Sequence, residues 1–489
     1  MDIKTKRQET QFLGRQREIT LLHEKNWRNH AQLIVVYGRR RVGKTALIEY
    51  AYRNQVFWKF EGLEGESTKK QIQNFISRLA TYTQKPQLKE NIYRNWDEVL
   101  EIFAQELKDK KLEVFFDEFQ WLAEMGTGFV SLFKSYWDNH FKKNRHLRFI
   151  LCGSISSFMV KKVLKSKALY GRVDTEINLK PLSLADCQKL LDAQASTTKR
   201  KPEEILQINM IFGGIPQYLE ELNPKMSLMQ NLNEYALKAQ GYFFQEYGRL
   251  FISHFSDNPL YEKILLSLSQ KTNTSEDLAK ACEIKTGGAL SEKLLDLELA
   301  GFIKRESPIH KGLKSKIVRY RLDDEYLHFY YQFILPNAKA ILAGKMTMTS
   351  LIAGQAYSQW QGYAFERLCI KHAEYIATHL QFGGIDYTYG SWFGRGSENK
   401  KGTQIDLLFE RMDKVLTLCE MKYVGQLNAK KIIEDFEKKI SVISKEYPSY
   451  GIQKILVSGK KIKTSPSLQK YFDHILFAED IFFNILTLH

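Results

Sequence analysis

Cysteine is scarce in this chain of 489 residues. The five present, Cys152, Cys187, Cys282, Cys369 and Cys419, are scattered, and none forms a C-x-x-C pair. Such spacing speaks against a disulfide framework and against a cysteine zinc site. Three of the five lie inside apolar strand or helix patterns. All read as buried thiols of a reducing, cytoplasmic compartment. Long hydrophobic runs are missing too: none approaches the ~18 residues of a membrane span. The opening MDIKTKRQETQ lacks the apolar core of a signal peptide. These absences predict a cytoplasmic protein without a membrane partner. Internal repeats and low-complexity tracts are also lacking.

What is present is a globular composition, 44% hydrophobic and 13% aromatic. At roughly 150 residues per domain, the length suggests about three domains. Lysine and arginine exceed aspartate and glutamate by 72 − 56 = 16, and the pI is near 9.3. A solvated basic surface accounts for that excess, as does an anionic partner, most often nucleic acid. We therefore expect DNA as a partner, with a protein partner or a second copy of the chain as further possibilities.

The most informative stretch is VVYGRRRVGKT, Val35 to Thr45. An apolar run, Leu33 to Val36, reads as a buried parallel strand, and Ala46-Leu47-Ile48 begins a helix. Between them lies G-x-x-x-x-G-K-[ST] in the strand–loop–helix setting that this phosphate-binding motif requires. The backbone from Gly38 through Arg39, Arg40, Arg41 and Val42 to Gly43 would wrap the phosphates of ATP. Side chains at the glycines would obstruct it. Lys44 would reach the β- and γ-phosphates, and the Thr45 hydroxyl would join the Mg²⁺ shell. Phe12-Leu13-Gly14-Arg15 precedes a short amphipathic helix, Glu18 to Trp27. It is either an adenine cover or an ordinary N-terminal helix.

About 70 residues downstream, Leu112 to Phe116 form an apolar strand ending in Asp117-Glu118, a Walker B pattern. Asp117 would hold Mg²⁺ through water, and Glu118 would orient and deprotonate the attacking water. The next strand, Leu147 to Ser154, ends on Ser154, either a γ-phosphate sensor or the N-cap of the following segment. Arg172 follows a basic helix carrying Lys161, Lys162, Lys165 and Lys167. It either stabilises transferring phosphate charge or is a surface arginine.

From Pro181 to about Leu250 helices replace strands, and Gly213-Gly214 ends one helix before Pro216 starts another. Tyr261 to Leu335 reads as a winged helix. Its helices are Tyr261–Ser269, a Thr274-capped second helix and Gly287–Leu299, followed by a hairpin of Gly301–Arg305 and Ile317–Leu322. The third helix would be the recognition helix, yet it carries Ser291, Glu292, Asp296 and Glu298 with only Lys293 basic. Acidic groups oppose phosphate, so an internal packing module is the stronger reading.

Met346 to Tyr357 reads as a linker, followed by a helix from Trp360 to Ile376 that carries Glu366. Gly383, Gly384, Gly390, Gly394, Gly396 and Gly402 predict turns. Two strands follow, Thr403–Glu410 with Asp406 and Val415–Lys422 with Glu420-x-Lys422. Alternation puts Glu420 and Lys422 on one strand face. Asp406 and Glu420 suit a Mg²⁺ site of hard oxygen ligands, with Glu366 beside them. Lys422 would position or activate water and offset phosphate charge. Two edge strands with ordinary surface charges would look similar.

Taken together, FLGRQREI at Phe12, the P-loop, FFDEFQWL at Phe115, LCGSISSF at Leu151, LYGR at Leu169, GGIPQYL at Gly213, RYRLDDEYLHFYYQFILPN at Arg319 and QIDLLFE…CEMK at Gln404 resemble one family. It is the archaeal-type P-loop ATPases with a C-terminal nuclease-like domain, related to the AAA+ and STAND NTPases. The resemblance covers nearly the whole chain. It implies that Pro216 is a lid proline touching adenine. It also implies that the C-terminal domain is restriction-endonuclease-like, of the PD-(D/E)XK type. Asp406, Glu420 and Lys422 match its D…E-x-K core, Glu366 its helix carboxylate, and Gln404 stands where some relatives carry Glu.

The expected fold is α/β: a P-loop parallel sheet at 1–180, a helical lid at 181–255, a winged helix at 256–340 and a nuclease-like α/β domain at 355–489. The expected function is an ATP-controlled DNA-processing ATPase with a metal-dependent nuclease-like domain. The alternative is a nucleotide switch that binds a partner without cutting.

Overall fold

The structure, a computed structural model, describes residues 12–24, 29–123, 128–154, 156–166, 169–195, 199–255, 258–306, 318–394 and 403–483. Trp27, Lys167, Ile317, Gly396 and Gly402 of the sequence reading lie outside them. The chain divides into two compact units, one of 1–182 with 215–217 and 292–301, the other of 183–214, 218–291 and 302–489.

The first unit is built on a five-stranded sheet: β1 Gln32–Tyr37, β2 Phe57–Glu61, β3 Leu112–Asp117, β4 Leu147–Gly153 and β5 Thr175–Asn178. The order is β2-β3-β4-β1-β5, and every pairing is parallel. Every residue of β1 is buried, as its continuous apolar run requires of a strand covered on both faces. Helices Thr68–Thr83, Trp96–Leu107 and Phe129–Asn139 supply buried apolar side chains to a common core. There Phe60, Phe75, Phe103 and Phe116 form an aromatic cluster, with Phe60 and Phe75 centroids 4.2 Å apart. Because β3, β4 and β1 are neighbours and parallel, their C-terminal ends lie side by side. That edge is where a parallel sheet of this kind binds ligands.

The N-terminal helix runs from Gln16 to His23. Strand β5 was not legible in the sequence: it is short and carries Glu176 and Asn178, and only its pairing to β1 makes it a strand. The basic segment is a wide π-helical turn, Met159–Leu164.

In the second unit, helices Leu184–Gln194, Pro202–Phe212, Leu228–Tyr235 and Tyr242–Phe255 fill the expected helical region. Gly213, at φ +64°, ends the helix Pro202–Phe212, and Pro216, which belongs to the first unit, starts the next one, as the glycine–proline signal predicts. Helices Pro259–Gln270, Ser275–Ala281 and Gly288–Leu299, the last of which belongs to the first unit from Glu292 on, are followed by an antiparallel hairpin of β6 Ile303–Glu306 and β7 Arg319–Leu322. Asn273 bridges to Tyr320. Thr274 and Asp277 form the predicted reciprocal cap.

Two expectations fail here. The stretch read as a linker is helical, Met348–Ile352 and then Gln355–Lys371. Thr347 caps the first helix, and Met348 and Tyr357 are buried. Of the glycine-broken stretch read as turns, Gly383 and Gly384 do form a turn, but Gly390 and Gly394 lie in a strand, β8 Tyr387–Gly394. It is an edge strand with a register shift between Gly390 and Trp392, a position where glycine is tolerated. Tyr387 and Tyr389 anchor it on Phe409, and Trp392 is fully buried. The remaining strands are β9 Thr403–Arg411, β10 Val415–Lys422, β11 Gly451–Ser458 and β12 His474–Phe477, in the order β12-β11-β10-β9-β8. The pairs β8–β9 and β9–β10 are antiparallel, and β10–β11 and β11–β12 are parallel. Helix Ala429–Glu446 is the crossover between β10 and β11.

Candidate nucleotide site and C-terminal acidic site

The loop after β1 needs its glycines. Gly38 has φ +148°, and a Cβ there would sit 2.4 Å from the Leu179 carbonyl oxygen. Gly43, at φ +87°, caps helix Lys44–Ala51 in the left-handed region, and Arg41 shares that region at φ +72°. Arg39 is buried, Arg40 pairs with Glu64 at 3.2 Å, and Val42 is buried, its carbonyl accepting from Arg15 at 3.3 Å. Lys44 Nζ donates to the carbonyls of Gly38 and Arg39, both at 3.0 Å. Burial pushes its pKa down, opposed by Cys152, Glu118 and Asp117. The ammonium thus lies inside the loop that would cradle phosphates.

Strand adjacency brings the predicted partners to the same edge. Thr45 Oγ1 shares its proton between Asp117 Oδ1, at 3.1 Å, and Oδ2, at 3.0 Å. A hydroxyl and a carboxylate in contact after a P-loop are donors of the hard-oxygen kind that a nucleotide-bound Mg²⁺ would take, so these residues fit that ion. Lys59 of β2 was not singled out in the sequence, yet its Nζ stands 3.0 Å from Asp117 Oδ2 and 2.8 Å from Glu49 Oε1. Glu118 turns out of the strand at φ +47°. Its Oε2 accepts from Ser154 Oγ at 2.7 Å and from the Gln120 amide. The sensor candidate and the base candidate therefore touch. Arg172 is different: its Nε and Nη2 each donate to Asp138 at 2.8 Å, a fork–fork ion pair within the unit. That is the surface-arginine alternative. Residues 215–217, with Pro216, belong to the same compact unit as the P-loop.

The second site lies in the other unit. β9 carries Asp406, β10 carries Glu420 and Lys422, and helix Gln355–Lys371 carries Glu366. Glu420 is buried, and Lys422 Nζ donates to its Oε1 at 2.5 Å, as strand alternation predicts. Its other oxygen, Oε2, accepts from Lys439 Nζ at 2.7 Å. Burial acts to raise the Glu420 pKa, but Lys439 and Lys422 outweigh it and hold it below its ordinary value. Glu366 is pushed up to about 8, first by burial and then by Asp406 and Glu420. Asp406 is also raised by burial, against Lys439, and its Oδ1 accepts from the Gln404 amide at 2.7 Å. Among the described residues no three His, Cys, Asp or Glu side chains form a ready metal cage. The two carboxylates of the D…E-x-K pattern are present, but both oxygens of Glu420 are held by ammonium groups.

Sequence reasoning missed Lys439, although a signal exists. Helix Ala429–Glu446 buries Ile432, Phe436 and Ile443, and Lys439 falls on that same stripe at helical spacing. A lysine inside an apolar stripe announces a buried partner.

No helix among the described residues is long and apolar enough to cross a membrane. Residues 12–222 match a family model described as an ATPase domain predominantly from Archaea. An uncharacterized protein of Methanocaldococcus jannaschii, MJECL04, is 28% identical over 461 residues, 93% of this chain and 96% of that protein. An uncharacterized ATP-binding protein of the same organism, MJ0423, is 48% identical over 44 residues, 9% of this chain and 75% of that protein. The structure of the Walker-type ATPase PABY2304 of Pyrococcus abyssi is similar at a TM-score of 0.48 and 19% identity, over 66% of this chain and 96% of that one. Residues 12–222 are thus a P-loop ATPase domain, through which this chain binds and hydrolyses ATP.

Proposed function

We propose that this chain is an ATP-controlled DNA-processing factor whose C-terminal domain is a restriction-endonuclease-like, metal-dependent nuclease. In the ATPase part, the backbone from Gly38 to Gly43 and the Lys44 ammonium bind the phosphates. Thr45 and Asp117 are the residues that would hold the nucleotide's Mg²⁺, whose charge offsets that of the phosphates. Glu118 takes the proton of the attacking water, and Ser154 holds Glu118 in place at 2.7 Å. Pro216 covers the adenine. Arg172 keeps its structural pairing with Asp138, so another group supplies any arginine finger.

The nuclease reading is carried by one observation: Asp406 and Glu420, from two paired strands, and Glu366, from a helix, lie within electrostatic reach of one another and of Lys422, with Glu420 buried and the other two half-buried. Asp406 and Glu420 would hold the divalent cation, with Glu366 next to them and Lys422 toward the phosphate. Residues 256–340 are read as a winged helix acting as a packing module. Asp296 and Glu292 of its third helix face Lys161, at 2.8 and 3.7 Å, which leaves that helix acidic and engaged rather than offered to phosphate. DNA is the proposed substrate, matched to the net charge of +16. Five free, buried cysteines suit a reducing cytoplasm.

A second reading, a STAND-like nucleotide switch that binds DNA or a protein without cutting, is favoured by the double lysine pairing of Glu420. Plasmid cleavage in Mg²⁺ or Mn²⁺ separates the two. Under the nuclease reading the wild type cuts and Asp406→Ala does not, while ATP hydrolysis in Asp406→Ala stays near wild type. Cleavage that persists in Asp406→Ala would overturn the site. No cleavage by the wild type with any DNA form would leave the switch.

A further inference from the structure

The C-terminal site carries a lysine that its E-x-K pattern does not call for. Lys439 is supplied by helix Ala429–Glu446, on the stripe that buries Ile432, Phe436 and Ile443. Its side chain is 17% exposed and its Nζ is 2.7 Å from Glu420 Oε2. An ammonium in such a position must be compensated, because withdrawing a charge from water without a partner is strongly unfavourable. The compensation is Glu420, whose other oxygen already serves Lys422 at 2.5 Å.

We propose that Lys439 is a resident counter-ion of this site: it occupies the Glu420 oxygen that a divalent cation would use, and keeps the site closed to metal until an anion draws the lysine away. The proposal rests on the reading of Asp406 and Glu420 as a cation site. Three observations support it. First, neither Glu420 oxygen is left without an ammonium. Second, Lys439 also stands within electrostatic reach of Asp406 and Glu366, so it opposes positive charge at every carboxylate of the set. Third, a lysine is a flexible point charge on a four-carbon stem, able to transfer from a carboxylate to a phosphate without moving its helix. A nucleic-acid phosphodiester entering the site is the anion that fits, since it offers Lys439 an alternative partner just where metal is needed. Substrate entry would then admit the metal, and stray metal alone would not arm the site.

The test is Mn²⁺ binding to the nucleotide-free, full-length chain, followed by the free-ion paramagnetic resonance signal, without any cleavage readout. Lys439→Met and Lys439→Gln remove the charge, and Lys439→Arg keeps it. Thermal melts and ATP turnover establish that each variant is folded. Removing one unit charge a few ångströms from the ion should tighten one Mn²⁺ site by about tenfold or more in the Met and Gln variants. Lys439→Arg should match the wild type, and the gain should vanish when Asp406→Ala is added. A site that Asp406→Ala abolishes but that Lys439→Met and Lys439→Gln leave unchanged would overturn the counter-ion role alone. Mn²⁺ binding that ignores Asp406→Ala in every background would overturn the cation site and the proposal with it.

Discussion

The proposed mechanism makes turnover depend on Lys44 and Glu118, and their surroundings say how each would fail. Lys44 already sits inside the loop, held by two carbonyls, so its removal takes away the positive charge without rebuilding the loop. Lys44→Ala should abolish measurable ATP binding in equilibrium titration while leaving the fold intact. Glu118→Gln should bind ATP as tightly as wild type and lose roughly 10²–10⁴-fold in turnover, because an amide cannot accept the proton. Equal turnover in Glu118→Gln and wild type would remove the Walker B assignment. Glu366 has a different signature. Its pKa in the fold is pushed up to about 8 from 4.5, so the folded chain keeps a proton that the unfolded chain releases. Stability therefore falls as pH rises from 4.5 toward 8 on its account. Glu366→Gln, which stays neutral, should flatten that decline in urea unfolding followed across the same range. The P-loop was legible because its chemistry is local: contiguous residues determine the loop and its strand–helix setting. Lys439 was not read, because its role depends on Glu420, distant in sequence, although its place on an apolar stripe could have shown it.

At the scale of elements, helix Gln355–Lys371 joins two kinds of work. It carries Glu366, and one residue later Arg367 pairs with Glu325 at 3.0 Å, while Lys371 reaches the same carboxylate at 2.9 Å. Burial acts to raise the Glu325 pKa, but Arg367 and Lys371 outweigh it and hold it well below the usual carboxylate range. Its contribution is complete above about pH 4.5 and is lost as pH falls further. Next to Lys371, His372 is pushed down to about 4 from 6.5, by burial first and Lys371 second. The unfolded chain thus takes up that proton first, and stability falls from pH 6.5 toward 4. Glu325→Gln takes the counter-charge from Arg367 and Lys371, which are partly exposed, and should destabilise this unit by about 1–3 kcal/mol. Urea unfolding at neutral pH measures it, and a change within about 0.5 kcal/mol would show the network to be solvated. Strands such as β3 and β10 were legible to the residue because their apolar runs end in charged side chains. β8 was not, since glycines on an edge strand look like turns. The linker was misread because a five-residue helix, Met348–Ile352, is too short for periodicity to show.

At the scale of the whole molecule, the charge of +16 makes a simple demand. Affinity for non-specific duplex DNA should fall steeply with salt, because binding releases counterions. A binding constant that stays flat between about 50 and 200 mM salt would remove DNA as the partner. Helix Pro202–Phe212 leads directly into Gly213 and Pro216, and its Gln207 donates to the Tyr423 hydroxyl at 3.1 Å, one residue beyond Lys422. The sequence motifs announced both sites but not this contact, which joins residues 216 positions apart.

The most direct test of ATP control is the rate at which the purified full-length protein converts supercoiled plasmid in Mn²⁺, with and without ATP, beside Lys44→Ala. The account predicts that ATP changes the wild-type rate and leaves that of Lys44→Ala unchanged. A wild-type rate indifferent to ATP, or a Lys44→Ala rate that responds as the wild type does, would contradict it.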